Sequence, residues 1–429
     1  MAVLATDIHR AIDAVWRIES PRLIAGLTRI VRDVGLAEDL AQDALVAALE
    51  QWPESGMPDN PGAWLMTIAK HRAIDLFRRN TRLDRKHEEL GRELAAKEMA
   101  VPDFDSALDD DVGDDLLRLV FISCHPVLST EAQVALTLRL LGGLTTEEIA
   151  RAFLVPEPTI AQRIVRAKRT LAEKHVPFEV PRRTELGARL SSVLGVLYLI
   201  FNEGYAATGG DGWMRPALCE DALRLGRVLA GLAPQEAEVH GLVALMEIQA
   251  SRSKARAGPS GEPILLFDQD RAHWDQLLIG RGLAALALAE KLREAPGPYA
   301  LQARIAACHA RARTPEETDW ARIVTLYGEL AEINPSPVVE LNRAVAVAMA
   351  SGPAAGLALV DALTAERSLQ NYHLLPSVRG DLLKKLGRFD EARAEFARAA
   401  SLTQNTRERE LLLERVRSCA DGSALPGPH

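Results

Sequence analysis

The sequence predicts an all-α protein. Apolar residues recur at three- and four-residue spacing along nearly every segment, and no alternating Val/Ile/Thr-rich run reads as a strand. Ala, Leu, Arg and Glu dominate while aromatics make up only 5%, a composition that favours helix. At 429 residues the chain exceeds one ordinary core, so two to four domains are expected.

The expected elements follow in chain order. Residues 1–80 form a first helical domain, with periodic runs in "IAGLTRIVRDVG" and "AEDLAQDALVAALEQW", a Pro/Gly loop over 53–62, and a third helix, "AWLMTIAKHRAIDLFRR". Residues 81–115 read as a flexible connector. Its second half, Glu98 to Asp115, holds eight acidic residues and no basic ones, and such a stretch buries little. Residues 116–180 form a second helical domain. Thr130 with Gln133, and Thr145 with Glu148, have capping-box spacing; Gly142-Gly143 stops a helix and Pro158 suits the first turn of the next. Residues 181–420 form a long helical array, and 421–429 a fraying Gly/Pro/Ser tail. Within the array, "LLKKLGRFDEARAEFARAASL" resembles a tetratricopeptide unit through Gly387, Ala392, Phe396 and Ala399. "YGELAEINP" repeats it at an offset of 69, while no period is readable from 186 to 315.

The segment "TTEEIARAFLVPEPTIAQRIVRAKRTL" has the outline of a helix-turn-helix. Ile149, Ala150 and Phe153 make the inner face of its first helix, and Ile160, Ile164 and Ala167 that of its second. Thr159, Gln162, Arg163 and Arg166 are left pointing outward, with Arg169 further along. Arg suits guanine edges, Gln suits adenine, and later basic residues hold phosphates. The net charge of -8 does not oppose this, because binding follows local charge. Five basic residues stand against Glu173 alone between Thr159 and Lys174, and seven against two acidic between Lys70 and Lys86. On the helix over 63–79, Trp64, His71, Asp75 and Arg78 share one face, and Leu65, Ala69, Ala73 and Leu76 another. An aromatic among cations suits single-stranded DNA, though a Trp is more often a core anchor.

These two segments resemble region 2 and region 4 of a bacterial RNA polymerase sigma factor. The pair without an intervening domain resembles the extracytoplasmic-function group. "DQDRAHWD", "TDWARIVTLY" and "SPVVELNRAVAVAM" are similar to the extension of a subgroup with a C-terminal tetratricopeptide-like domain. The resemblance implies core RNA polymerase and promoter DNA as partners. It implies polymerase docking around Asp39, Gln42 and Asp43, and -10 DNA contacts from Trp64, Lys70, His71, Arg72, Arg78 and Arg79. The loop over 53–62 matches the position that captures a flipped -10 base. The -35 contacts fall to Thr159, Gln162, Arg163, Arg166 and Arg169. An unidentified protein or small molecule is implied as regulator at the extension. Two departures are visible: His71 stands where the family often has Asn, and Leu154 where the hairpin turn commonly has Gly.

No enzyme, metal or cofactor is expected. Cys124 and His125 are adjacent and point to different sides of a helix; there is no phosphate-cradling Gly-rich loop and no His-Glu-x-x-His. His240, His273, His309 and His373 stand singly, as structural histidines do. The four cysteines are far apart with no Cys-x-x-Cys, which fits a reducing cytoplasm. The most apolar stretch, "VLGVLYLIF" at 193–201, is too short to span a membrane. In the extension, "GGDGWM" (209–214), Asp268, Asp270, Arg271, Trp274 and Trp320 are candidate surface features, with helix capping and core packing as the bland reading. A ligand-sensing helix-turn-helix regulator that does not join polymerase would need only the hairpin.

Overall fold

The computed structural model describes residues 2–90, 112–153, 155–259, 261–293 and 295–420. Among these the predicted periodicity becomes eighteen α-helices, with a single pair of two-residue strands. The chain divides into two compact units, Met1–Leu197 and Tyr198–His429. The division falls inside a helix, later than the expected boundary at 180.

In the first unit, α1 (Ala2–Val31), α2 (Val34–Ser55) and α3 (Pro61–Leu90) pack together. The Asp33 carboxylate caps α2 by accepting from the Gly35 and Leu36 amides at 2.7 and 2.9 Å. Asn60 does the same for α3 through the Ala63 amide at 3.0 Å. The expected loop over 53–62 is shorter: α2 runs through Pro53 to Ser55, where Gly56 ends it at φ 82. Leu27, Leu40, Ala44, Trp52, Leu65 and Ala69 form the buried seam.

The remainder of this unit holds α4 (Val112–Ser123), α5 (Thr130–Leu140), α6 (Thr146–Phe153) and α7 (Glu157–Glu173). Thr145 and Glu148 make the predicted capping box, with reciprocal bonds of 2.8 and 3.1 Å. The other expected box is not formed. Ser129, one residue earlier, caps α5, while Gln133 turns inward and donates to the Cys124, His125 and Leu128 carbonyls.

The expected connector lies mostly outside the described residues, but its flanks are not loop. Residues 81–90 continue α3 and 112–115 open α4. Asp115 is 3% exposed and pairs with Arg29 at 3.1 Å and Arg118 at 2.6 Å, so it is a buried ion-pair residue and not part of a solvated tether.

Helix α8 (Arg183–Tyr205) crosses the division. Its first half is tied to the first unit, Arg189 donating to the Phe121 carbonyl and Ser192 to the Cys124 carbonyl. By length and composition alone, Thr184–Tyr205 is apolar enough to cross a membrane, a longer window than the nine residues the sequence suggested. Leu190, Val193, Leu194, Leu197, Ile200 and Phe201 are buried within the protein.

The second unit continues with α9 (Pro216–Leu232), α10 (Ala237–Ala250), α11 (Gln276–Leu292), α12 (Pro298–Arg311) and α13 (Trp320–Ile333). After these come α14 (Pro337–Ser351), α15 (Pro353–Leu363), α16 (Leu374–Lys385), α17 (Phe389–Leu402) and α18 (Thr406–Ala420). Successive helices from α12 onward pack as neighbours. The predicted tetratricopeptide-like unit is α16 and α17: Ala392, Phe396 and Ala399 are fully buried, and Gly387 makes the turn at φ 76. A Cβ on Gly380 would sit 2.9 Å from the Phe396 ring, which explains the small residue there. The "GGDGWM" stretch is structural. Its first two residues are β1 (Gly209–Gly210), paired in parallel with β2 (Gln404–Asn405), and Asn405 donates to the Ala207 and Gly212 carbonyls.

Candidate nucleic-acid interface

Five of the six expected inner-face residues of the hairpin are buried, and Phe153 is half-buried at the end of α6. Ile149, Ala150, Ile160, Ile164 and Ala167 are buried, which fixes the roll of α7. Thr159, Gln162, Arg166 and Arg169 are therefore exposed, and Arg163 half-buried. Pro156 precedes α7 and Pro158 lies in its first turn, so no side chain caps it and Glu157 is its only first-turn acid. Pro158 has no amide hydrogen and the Thr159 amide donates to the Pro156 carbonyl at 2.9 Å, so the start of α7 is closed by backbone alone. Arg169 forms an i,i+4 pair with Glu173 at 2.6 Å, both mostly exposed, an arrangement worth little in water and easily exchanged for phosphate. Leu154 lies outside the described residues.

On α3, Leu65, Ala69 and Ala73 are buried, leaving His71, Arg72 and Arg78 exposed and Lys70 half-buried. Arg79 belongs to α3, but its side chain lies outside the described set. Trp64 is half-buried, its ring edge-on to Trp52 at 5.2 Å. Trp52 is the core anchor, at 1% exposure, and it fixes the pose of the more accessible Trp64. Met57, 46% exposed, stands in the short loop before α3.

On α2, Asp39 and Asp43 are exposed; Asp43 lies 3.6 Å from Arg72, and Gln42 donates to Glu38 at 2.6 Å. Glu38 is the residue the sequence reading missed. It is 2% exposed and takes Arg139 of α5 at 2.6 Å and Lys168 of α7 at 2.5 Å. Arg17 of α1 reaches Glu148 of α6 at 2.7 Å. Lys168 is therefore held inside the unit, not among the exposed cations of α7. A signal was present: Glu38 shares the face of α2 that buries Val34, Ala37 and Ala41, and a carboxylate on an apolar face needs a cationic partner.

The first unit thus presents a helix with an exposed basic face and, on a separate three-helix packing, a basic face beside a half-buried Trp. Family models place this chemistry. Residues 16–83 match sigma-70 region 2, and residues 118–171 match sigma-70 region 4. Residues 189–290 match a family of unknown function, DUF6596. An uncharacterised protein of Rhizobium meliloti (strain 1021) is 44% identical over 390 residues, 90% of this chain and 91% of that one. The chain belongs to that protein's family.

Shorter matches fall to named sigma factors. ECF RNA polymerase sigma factor SigK of Mycobacterium sp. (strain KMS) is 28% identical over 158 residues, 36% of this chain and 77% of SigK. "Probable ECF RNA polymerase sigma factor SigI" of Mycobacterium tuberculosis (strain CDC 1551 / Oshkosh) is 27% identical over 176 residues, 40% of this chain and 58% of SigI. This chain thus combines a sigma-70 region 2 match and a sigma-70 region 4 match with a helical second unit. Region 2 and region 4 both fall in the first unit, whereas the DUF6596 match begins in α8 and runs into the second.

The second unit's candidate features mostly turn inward. Trp274 is 4% exposed, and Arg271 donates to the His309 and Ala312 carbonyls at 2.7 and 2.6 Å. Asp270 caps a short turn through the Ala272 amide, and Trp320 packs against His309 and Phe267. His240 and His373 are partnered, by the Pro234 carbonyl and by Glu408. His309 departs from the expectation: its Nδ1 is buried with no hydrogen-bond partner. All four cysteines are free; burial pushes the Cys124 and Cys219 thiols up to about 12, which leaves them protonated and unreactive at neutral pH.

Proposed function

We propose that this protein is a sigma factor of the extracytoplasmic-function type that binds core RNA polymerase in the cytoplasm and directs it to promoters. The observation that carries the reading is the outward row Thr159, Gln162, Arg166 and Arg169, exposed, with Arg163 half-buried among them, on a helix whose roll is fixed by Ile160 and Ile164. That row reads the -35 element in the major groove, and Lys70, His71, Arg72, Arg78 and Arg79 hold the opened -10 strand beside Trp64. Asp39, Gln42 and Asp43 dock on polymerase. The chain does no catalysis of its own. The helical second unit, tetratricopeptide-like at its C-terminal end, regulates the factor through a protein or small molecule.

The Glu38 cluster supports a further feature of this reading. Region 2 and region 4 must reach separate promoter elements, so the bonds of Glu38 to Arg139 and Lys168 are exchanged for polymerase and DNA contacts on engagement. The test is transcription from a promoter library by core polymerase plus the full chain. Initiated RNA that depends on Arg166 supports the reading; core polymerase that neither binds the chain nor gains transcripts removes it.

A further inference from the structure

A cavity of about 690 Å³ opens in the second unit, lined by residues of α8, α10, α12, α13, α14 and α16. That size suits a small organic ligand. Its walls are aromatic and aliphatic, from Tyr198, Phe201, Ile305, Tyr327 and Leu330, interrupted by side-chain amides such as Asn202 and Gln302. Its charge is one-sided: Arg252 lines it beside the His309 ring, and no carboxylate does.

The arginines around it are unusual for an acidic chain. Arg252 bonds to the Gln249 and Gln269 amide oxygens and lies over the Trp274 ring at 5.4 Å. Arg256 donates to the Tyr205 carbonyl and stacks on the Tyr205 ring at 3.4 Å. Arg271 is held by the His309 and Ala312 carbonyls and lies over the same Trp274 ring at 4.9 Å. No carboxylate lies within ion-pair distance of these three guanidiniums among the described residues. Burial, with Arg252 as a second cause, holds Arg256 and Arg271 below the usual guanidinium range. Burial and the Arg252 and Arg271 charges push His309 down to about 4, so its ring is neutral at pH 7 and its buried Nδ1 unpaired. Arg271 feels the Glu316 and Glu317 carboxylates, but Arg252 on the cavity wall is held by amide oxygens and a ring, and the positive potential it leaves there is one that a bound anion would neutralise.

We propose that this cavity binds an amphiphilic organic anion, with a carboxylate set against Arg252 and His309 and an apolar or aromatic body against Tyr198, Phe201 and Tyr327. The ligand is a free organic acid or the C-terminal carboxylate of a peptide, since both present this chemistry. Binding itself is independent of the polymerase reading. Only the expectation that occupancy changes transcription rests on the second unit being regulatory.

Isothermal titration of the full chain tests it, with a series from 4-phenylbutyrate to dodecanoate, each beside its neutral primary amide, and a leucine-ended hexapeptide with free or amidated terminus. The expected result is at least about a tenfold preference for carboxylate over amide in one of the two series, and the series that binds identifies the source. Arg252→Gln removes the preference, Arg252→Lys keeps it, and Arg393→Gln, remote on α17, leaves it unchanged. Equal affinity for acids and amides overturns the proposal, as does no binding below about 1 mM in either series. So does a preference that survives Arg252→Gln. A carboxylate that binds as expected yet leaves polymerase-dependent transcription unaltered overturns the regulatory reading alone.

Discussion

The two units place their cations in opposite ways. On α7 and α3, Arg166, Arg72 and Arg78 stand in solvent, where a polyanion of any length can reach them. In the second unit, Arg252, Arg256 and Arg271 turn toward rings and carbonyls, and Arg252 lines an open cavity of about 690 Å³. The difference teaches that net charge says little about function in a chain of this kind. At -8 overall, it still presents one positive surface and one positive interior.

The sharpest way to break the comparison is to unfold one side of it. Phe396 is fully buried between α16 and α17, and Phe396→Ala should cost about 3–5 kcal/mol in the second unit's denaturant transition. The transition of the first unit should not move; a loss shared equally by both would mean that they do not fold as separate units. Glu38→Ala acts on the other side. It leaves Arg139 without its carboxylate and Lys168 with only the exposed Asp39 at 3.9 Å, at a cost of about 3 kcal/mol to the first unit's transition. A change under about 0.5 kcal/mol would show that the cluster is solvated and holds nothing.

Protonation discriminates the units as well. His309 has its pKa depressed from 6.5 to about 4 by burial and by Arg252 and Arg271. Its contribution is complete above pH 6.5 and is lost as pH falls toward 4, by about 3 kcal/mol in all. The second unit's stability should therefore drop more steeply between pH 6.5 and 4 than that of His309→Gln, which carries no such proton. Parallel slopes for the two proteins would place His309 in water. Smallest in stability and largest in function is Arg166→Ala. An exposed residue costs about 0.5 kcal/mol or less on removal, while a lost base contact costs about 1–3 kcal/mol of DNA discrimination. Melting temperatures that match wild type, with binding to a preferred -35 sequence weakened some 5- to 150-fold, would separate recognition from folding.

Much of this was legible in the residues. The apolar spacing that buries Ile149, Ile160 and Ile164 also dictates which residues of α7 face out, because a helix has one roll once its inner face is set. The Thr145–Glu148 box was equally readable, since its two partners are three residues apart. What was not legible depends on distant segments. Gln133 has capping spacing, yet three carbonyls across a turn compete for its amide and win. Asp115 looked like the end of a solvated acidic run until Arg29, from another helix, is placed beside it. The cavity draws on six helices spread over nearly two hundred residues, and no local pattern announces it. Arg271 and Trp274 read as surface candidates, yet Trp274 is buried and Arg271 is tied to carbonyls at the end of α12 that local spacing does not show.

One measurement bears most directly on the central claim: transcription by core RNA polymerase reconstituted with the full chain, read against the same chain carrying Arg166→Ala. The account predicts new start sites with wild type and a loss of at least about fivefold with the variant, at unchanged polymerase binding. Start sites that persist undiminished with Arg166→Ala, or no polymerase binding by the wild-type chain, would contradict it.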